Sequence, residues 1–250
     1  MKKEYEAQYH RLEEEHWWFQ ARRHMVRALV LRANADRGCR ILEIGCSGGP
    51  LVQQLHADGY RHVTGIDISP DGIGICRQRG LTDTHVMDAQ KLSFADESFD
   101  IITASDVLEH LADAPQAVRE WKRVLKPDGQ LIVFVPAFQF HWSEHDEANR
   151  HFKRYRRPEL CQLLAENDFL LVRSSYWNFL LFWPVSIVRL IRRLRPKREA
   201  VRGDIQPTAA LLNRALIWLL RGENSLLLRG LNFPVGVSVM AVGRKPAVRN

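Results

Sequence analysis

The sequence predicts an α/β fold: a doubly wound, mainly parallel sheet of seven strands, with helices on both faces and a helical insertion before the last strand. Three observations carry that expectation. Short apolar runs alternate with helical patterns from residue 40 onward. The first run, RILEI at Arg40–Ile44, breaks into a glycine-rich turn, Gly45 to Gly49, before helical spacing resumes at Pro50. The second and third runs each close on an acid, Asp67 and Asp88. Strands alternating with helices require right-handed crossovers, which cover a parallel sheet on both sides.

Taken in order, residues 1–35 read as a helical cap carrying the aromatic knot His16, Trp17, Trp18 and Phe19. Residues 36–177 form the core. Its strands are expected at 40–44, 62–66, 84–87, 99–104, 130–135 and 170–175, with helices at 50–58, 70–79, 115–125 and 158–167. The KPDG segment, Lys126 to Gly129, is expected to turn into the fifth strand. Residues 178–232 break the rhythm as a helical insertion, and residues 233–250 hold the final strand and a tail.

Composition bounds the function classes. With 46% apolar and 26% charged residues, 250 residues suffice for a large packed core. The four cysteines, Cys39, Cys46, Cys76 and Cys161, form no CxxC pair, which fits a reducing compartment. The N-terminal stretch lacks the apolar segment of a secretory signal. The longest uncharged stretch, Ser174 to Val188, is too short to span a bilayer and contains Pro184. The expected location is cytoplasmic, including the inner face of the membrane. The net charge of +7 is concentrated: seven Lys or Arg and one acid lie between Arg189 and Arg202, and five basic residues lie between Arg150 and Arg157. Such runs suit an anionic partner.

In a doubly wound sheet the ligand sits beyond the carboxyl ends of the strands, where the glycine turn lies. Glycines permit positive φ and close approach, and the following helix offers unpaired N–H groups. Gly45, Gly48 and Gly49 do not fit GxGxxG, which disfavours a nicotinamide enzyme. Asp67 is placed to receive ribose hydroxyls. Ser69 with Pro70 makes the better helix cap, which frees Asp67 for that role. Asp88 and Ala89 follow the third strand, where an acid accepts the exocyclic amine of adenine.

LEIGCSGG, VTGIDIS, DAQKLSFADESFDIITASDVLEHL and VLKPDGQLIVFVPA occur in order over about residues 40–137. Together they resemble the class I S-adenosylmethionine-dependent methyltransferases of the small-molecule type. HWWFQARR and WSEHDEANRHFKRYRR resemble a bacterial subgroup of that family whose acceptors are mostly unassigned. The resemblance implies a Rossmann-like fold and S-adenosyl-L-methionine as cofactor. It also implies that Glu43 and Gly45 shape the cofactor turn, Asp67 with Ile68 holds the ribose, Asp88 and Ala89 flank adenine, and Ser105 lines the methionine side. Ser47 and Gly49 complete the turn, with Ser47 standing where the family commonly has glycine.

Methyl transfer to oxygen or nitrogen needs positioning and, for a protonated acceptor, a base with pKa near neutrality. The stretch FHWSEHDEANRHFKRY brings His145, Asp146 and His151 close together, so either histidine is a candidate base with Asp146 orienting it. Tyr155, Asp106, His110, Trp17 and Trp18 are candidate acceptor-binding residues. The aromatic knot suits either a cover over the acceptor or a plug against a sheet edge. The D-x-x-E-H spacing of Asp106, Glu109 and His110 resembles the Glu-x-x-Glu-His segment that carries a divalent ion in the ubiquinone-biosynthesis O-methyltransferases. The same segment is widespread without metal, and no metal is expected.

In the insertion, Ile187, Leu190, Ile191 and Leu194 share one helical face, and Arg189, Arg192 and Arg193 the other. With the aromatics before them, this points to membrane-surface contact through residues 178–202, and hence to a small-molecule or lipid-linked acceptor. The other reading has these helices packing on each other or on a second subunit. The competing functions are a non-catalytic binding or scaffold protein of this fold and, with less support, an RNA methyltransferase. No RNA-binding module or stacking surface is visible, so nucleic acid is not an expected partner. The sequence leaves oligomeric state open.

Overall fold

The computed structural model describes residues 12–193 and 208–247. A helical turn at 12–15 precedes α1 (Trp17–Ala33). The core then runs β1 (Arg40–Ile44), α2 (Pro50–Ala57), β2 (His62–Asp67), α3 (Pro70–Gln78), β3 (Thr84–Val86), β4 (Phe99–Ser105), α4 (Ala114–Val124) and β5 (Leu125–Pro136). It continues with α5 (Glu144–Ala148), α6 (Arg157–Glu166) and β6 (Leu170–Trp177). The insertion supplies α7 (Phe182–Arg193) and α8 (Ala210–Leu228), and β7 (Ser238–Arg244) ends the sheet. Two single turns, Leu108–His110 and Gln139–His141, follow β4 and β5.

The seven strands lie in the order β3-β2-β1-β4-β5-β7-β6. β1 to β5 are parallel, and β7 runs antiparallel between β5 and β6. The order reverses between β1 and β4, so the carboxyl ends of those two strands flank the crevice of the doubly wound sheet. The central strands are buried on both faces: Ile41, Leu42, Ile44, Ile101, Ile102 and Ala104 are at most 1% exposed. The predicted Rossmann-like fold is the observed one.

Two local readings change. The KPDG segment does not separate two elements but lies inside β5. Asp128 has a φ of 61°, and pairing with β4 shifts between Phe99 and Ile101. The strand therefore kinks and continues, because Lys245 beside it keeps the backbone bonded: it accepts from the Asp128 N–H and donates to the Gly129 carbonyl. The short helix α5 was also not foreseen.

The insertion is stitched to the core by buried polar groups. The Glu223 carboxylate of α8 accepts from the Phe179 and Leu180 N–H groups at 3.0 and 3.1 Å. Asn224 accepts from Trp177 Nε1 at 2.8 Å and donates to the Ala21 carbonyl at 2.9 Å. The chain end of β6, α1 and α8 are thereby held together above the carboxyl ends of the strands. The residues from 194 to 202 that the sequence reading includes in a membrane-contacting stretch lie outside the described residues, as do most of the cap before residue 12 and the tail beyond residue 247.

Candidate active site

β1 delivers its last side chains to the crevice and hands over to Gly45, whose φ is 76°. A Cβ there would stand 2.6 Å from Val107 Cγ2, so both conformation and space demand glycine. Gly49, with φ 78°, precedes Pro50 at the first position of α2. A Cβ on it would meet Leu81 and the Cys76 sulfur at 2.5 and 2.9 Å. The Cα of Gly49 therefore faces the packing under α3, and Gly49 is not among the residues lining the crevice. Ser47 is left-handed too, with φ 50°. That conformation costs a non-glycine residue about 1–2 kcal/mol. Its N–H donates to Asp67 Oδ2 at 2.9 Å and its hydroxyl to Glu13 Oε2 at 2.8 Å, which offsets part of the cost.

Asp67 closes β2 with both oxygens oriented: Oδ2 by Ser47, and Oδ1 by the Ser69 N–H at 2.8 Å. Ser69, as its sequence position implied, caps α3 by accepting from the Gly72 N–H. Asp67, Ile68, Asp88, Ala89, Ser105, Glu43, Gly45 and Ser47 all border one cavity of about 470 Å³. Glu43 is 9% exposed, and burial together with the nearby Glu13 charge pushes its carboxyl well above the usual range. Glu43 Oε2 and Ser105 Oγ have no hydrogen-bond partner among the described residues. Buried polar atoms of this kind are costly unless a ligand satisfies them. A nucleoside carrying hydroxyls and an amino acid tail fits these groups.

A second cavity of about 660 Å³ adjoins the first. Phe19, Asp106, His110 and Asn149 border both. Its walls come from the aromatic knot, from residues 137–155 and from the insertion, through Leu181, Pro184, Val185 and Val188 on one side and Leu212 and Leu216 on the other. Trp17 and Trp18 line it. The knot also packs against the sheet: the Trp18 ring meets Trp177 edge to face at 5.1 Å. The Trp17 N–H donates to Asn213 of α8 at 2.8 Å.

Asp106, with φ 57°, follows β4 and accepts from Arg22 Nη1 at 3.0 Å. Arg22 is 3% exposed, donates through Nη2 to the Ser238 hydroxyl at 2.7 Å, and lies over the rings of Trp177 and Phe134 at 4.3 and 4.5 Å. Sequence reasoning missed this residue, although it sits inside the HWWFQARR segment.

The wall of residues 137–155 is organised by Asp146, which is fully buried. Its Oδ1 meets His151 Nδ1 at 2.9 Å and Arg154 Nε at 2.8 Å. Its Oδ2 accepts from Arg154 Nη2 and from the Ser143 N–H, at 2.9 and 2.8 Å. Burial alone would raise the Asp146 carboxyl, but the His151 bond and the Arg154 charge outweigh it and hold the group well below the usual range. A carboxylate on Nδ1 fixes the tautomer with its lone pair on Nε2. His151 borders the chamber, and its ring stands 4.5 Å from that of His110. Burial lowers the His110 pKa to about 4, with the neighbouring His151 adding to the effect.

Of the two candidate bases, His151 is the one that Asp146 orients. The His145 ring lies 5.9 Å from that of His151 and contacts the Asn149 amide. Tyr155 departs from its expected acceptor contact: it is 1% exposed, outside the chamber lining, and its hydroxyl donates to the Leu108 carbonyl at 3.4 Å. Arg154 likewise leaves the basic run, drawn inward by Asp146, with 5% exposure.

Glu109, His110 and His151 offer ligand atoms within 4.8 Å of one another. The D-x-x-E-H spacing groups Asp106 with Glu109 and His110, but the fold sets His151 there and pairs Asp106 with Arg22. Burial, then the Asp106 charge, pushes the Glu109 carboxyl well above its ordinary range. Opposite charges in this region are paired: Arg22 faces Asp106, and Arg154 faces Asp146.

Residues 42–133 match the model of a family described as a methyltransferase domain. A ubiquinone biosynthesis O-methyltransferase of Xanthomonas oryzae pv. oryzae is 34% identical over 115 residues, 43% of this chain and 48% of that protein. The chain spans about half the length of the curated relatives it matches. A solved SAM-dependent methyltransferase from Thermotoga maritima superposes with a TM-score of 0.61 at 18% identity, over 96% of this chain and 95% of that one. The [4+2]-cyclase SpnF gives 0.59 at 21% identity, over 88% and 79%. At such identities the two structures speak for the fold alone, and one of them is named for a different reaction. The family match covers the glycine turn, Asp67, Asp88 and Ser105.

Proposed function

We propose that this protein is an S-adenosylmethionine-dependent methyltransferase that methylates a hydroxyl of an acceptor with an apolar body, either a small molecule or a lipid-linked one. The observation that carries the proposal is the meeting of two cavities at Asp106 and His110: a polar crevice built from the matched motifs, and a chamber walled by apolar side chains. The O-methyltransferase name of the Xanthomonas oryzae relative supports oxygen as the acceptor atom.

Bound in the crevice, adenosylmethionine would supply an electrophilic methyl group on a sulfonium. Asp67, oriented by two backbone N–H groups, receives the ribose hydroxyls. Asp88 and Ala89 border the adenine end, and Glu43 and Ser105 the amino acid tail. On the acceptor side, the aromatic knot and the insertion exclude water and align the substrate, which is where most of the rate enhancement for an in-line displacement arises. His151 takes the acceptor proton at Nε2, and the Asp146 carboxylate stabilises the imidazolium that results.

The test is incubation with methyl-labelled adenosylmethionine and three acceptor sets: phenolic small molecules, a lipid extract and RNA. Label in an organic-extractable product supports the proposal. Label appearing only in added RNA overturns the acceptor class. No transfer to any acceptor, with adenosylhomocysteine binding intact, favours the scaffold reading.

A further inference from the structure

The insertion wears its polarity inside out. On α8 the buried face carries Glu223 and Asn224 beside Leu220 and Leu227, whereas Leu211 and Trp218 stand 83% and 78% exposed. On α7, Trp183, Ile187, Leu190 and Ile191 fall at helical spacing and are 47–63% exposed. Arg189, on the opposite side of that helix, turns inward and donates to the His141 carbonyl. A helix at a water surface normally shows the reverse arrangement. Val188 and Leu212 line the chamber and are themselves 48% and 54% exposed, so the apolar surface continues from the chamber wall over its rim.

We propose that this outer face of α7 and α8 docks on an anionic lipid bilayer, with both helices in the interfacial plane and the chamber mouth toward the membrane. Charge selects this occupant. Arg214, Arg221 and Arg229 are exposed on or next to α8. Each basic residue near an anionic surface contributes favourably, and tryptophans suit the headgroup level. A second copy is a poorer match, because a two-fold contact would set like charges against like. No described helix is long and apolar enough to cross a membrane, so the contact is peripheral. Docking does not depend on methyl transfer, but it gives a lipid-linked acceptor a path into the chamber that avoids water.

Co-sedimentation of the whole protein with vesicles tests this. One set is phosphatidylcholine alone, and the other also contains phosphatidylglycerol. The protein is expected to partition onto the anionic set and to come off as salt rises. The triple substitution Trp183→Ser, Ile187→Ser and Trp218→Ser is expected to lower the partition coefficient more than about tenfold, a loss of about 1.4 kcal/mol. These positions are exposed, so its urea unfolding midpoint should match that of the parent, which separates lost docking from lost folding. Absence of partition onto either vesicle, or equal partition by the triple variant, overturns the proposal. So does a dimer in sedimentation equilibrium that the triple variant dissociates, which would assign the face to a second copy.

Discussion

His151→Gln lowers methyl-transfer turnover by about 10²–10⁴-fold and leaves adenosylhomocysteine binding within about twofold of the parent. The size follows from the proposed role: a positioned base would remove the acceptor proton during transfer, and glutamine keeps much of the shape of the side chain without the basicity. The selectivity follows from the layout. His151 borders the acceptor chamber and is absent from the lining of the cofactor crevice. The loss should fall on kcat more than on KM, since glutamine retains a polar contact with the acceptor. Asp146→Asn should act in the same direction, because an amide can present the wrong partner to Nδ1 and free the wrong tautomer. It also strips Arg154 of its counter-charge, so its fold must be checked first. Turnover of His151→Gln within about threefold of the parent would remove the proton-acceptor role.

Arg22→Met destabilises the protein by about 3 kcal/mol. The guanidinium is buried, pairs with Asp106 and bonds to Ser238 of β7. It also rests among the rings of Trp18, Phe134 and Trp177, at 5.3, 4.5 and 4.3 Å. Methionine replaces the stem but leaves Asp106 without its counter-charge. Because the Asp106 side chain is 30% exposed, water recovers some of that loss, and the lower end of the range for broken buried pairs applies. For a chain of this size about 3 kcal/mol corresponds to a fall in Tm of about 6–12 °C. Adding Asp106→Asn should restore part of the stability, the signature of a coupled pair. A fall under about 2 °C would show that the ion pair and the ring cage contribute little.

The crevice was legible in the sequence because its parts are local. A strand, a turn and an acid at the next strand end fix Gly45, Ser47, Asp67 and Asp88 within a few residues of a predictable element, and parallel pairing brings those ends together. The acceptor wall was legible only in part. Asp146 and His151 announced themselves by proximity along the chain. That Arg154 would pair with Asp146 could not be read, since a basic run carries no mark of which member turns inward. Tyr155 shows the converse: its bridge to Ala137 beside the sheet carries the ring into the core, whatever its spacing from His151. At Gly49, positive φ and ligand approach leave the same sequence trace, and the Leu81 and Cys76 side chains supply a packing reason for the glycine. Arg22 depends on a contact with Ser238, 216 residues away, and Glu223 on the Phe179 and Leu180 backbone, 44 and 43 residues away.

The central claim is that the crevice at the ends of β1, β2 and β4 is an adenosylmethionine site. Calorimetric titration with adenosylhomocysteine and with NADH, repeated on Asp67→Ala, tests it most directly. The account predicts saturable binding of adenosylhomocysteine, no heat from NADH, and at least about a tenfold weakening in the variant, the loss expected when charge-assisted hydrogen bonds to a ligand are removed. Binding of NADH in its place, or adenosylhomocysteine binding unaffected by Asp67→Ala, would contradict it.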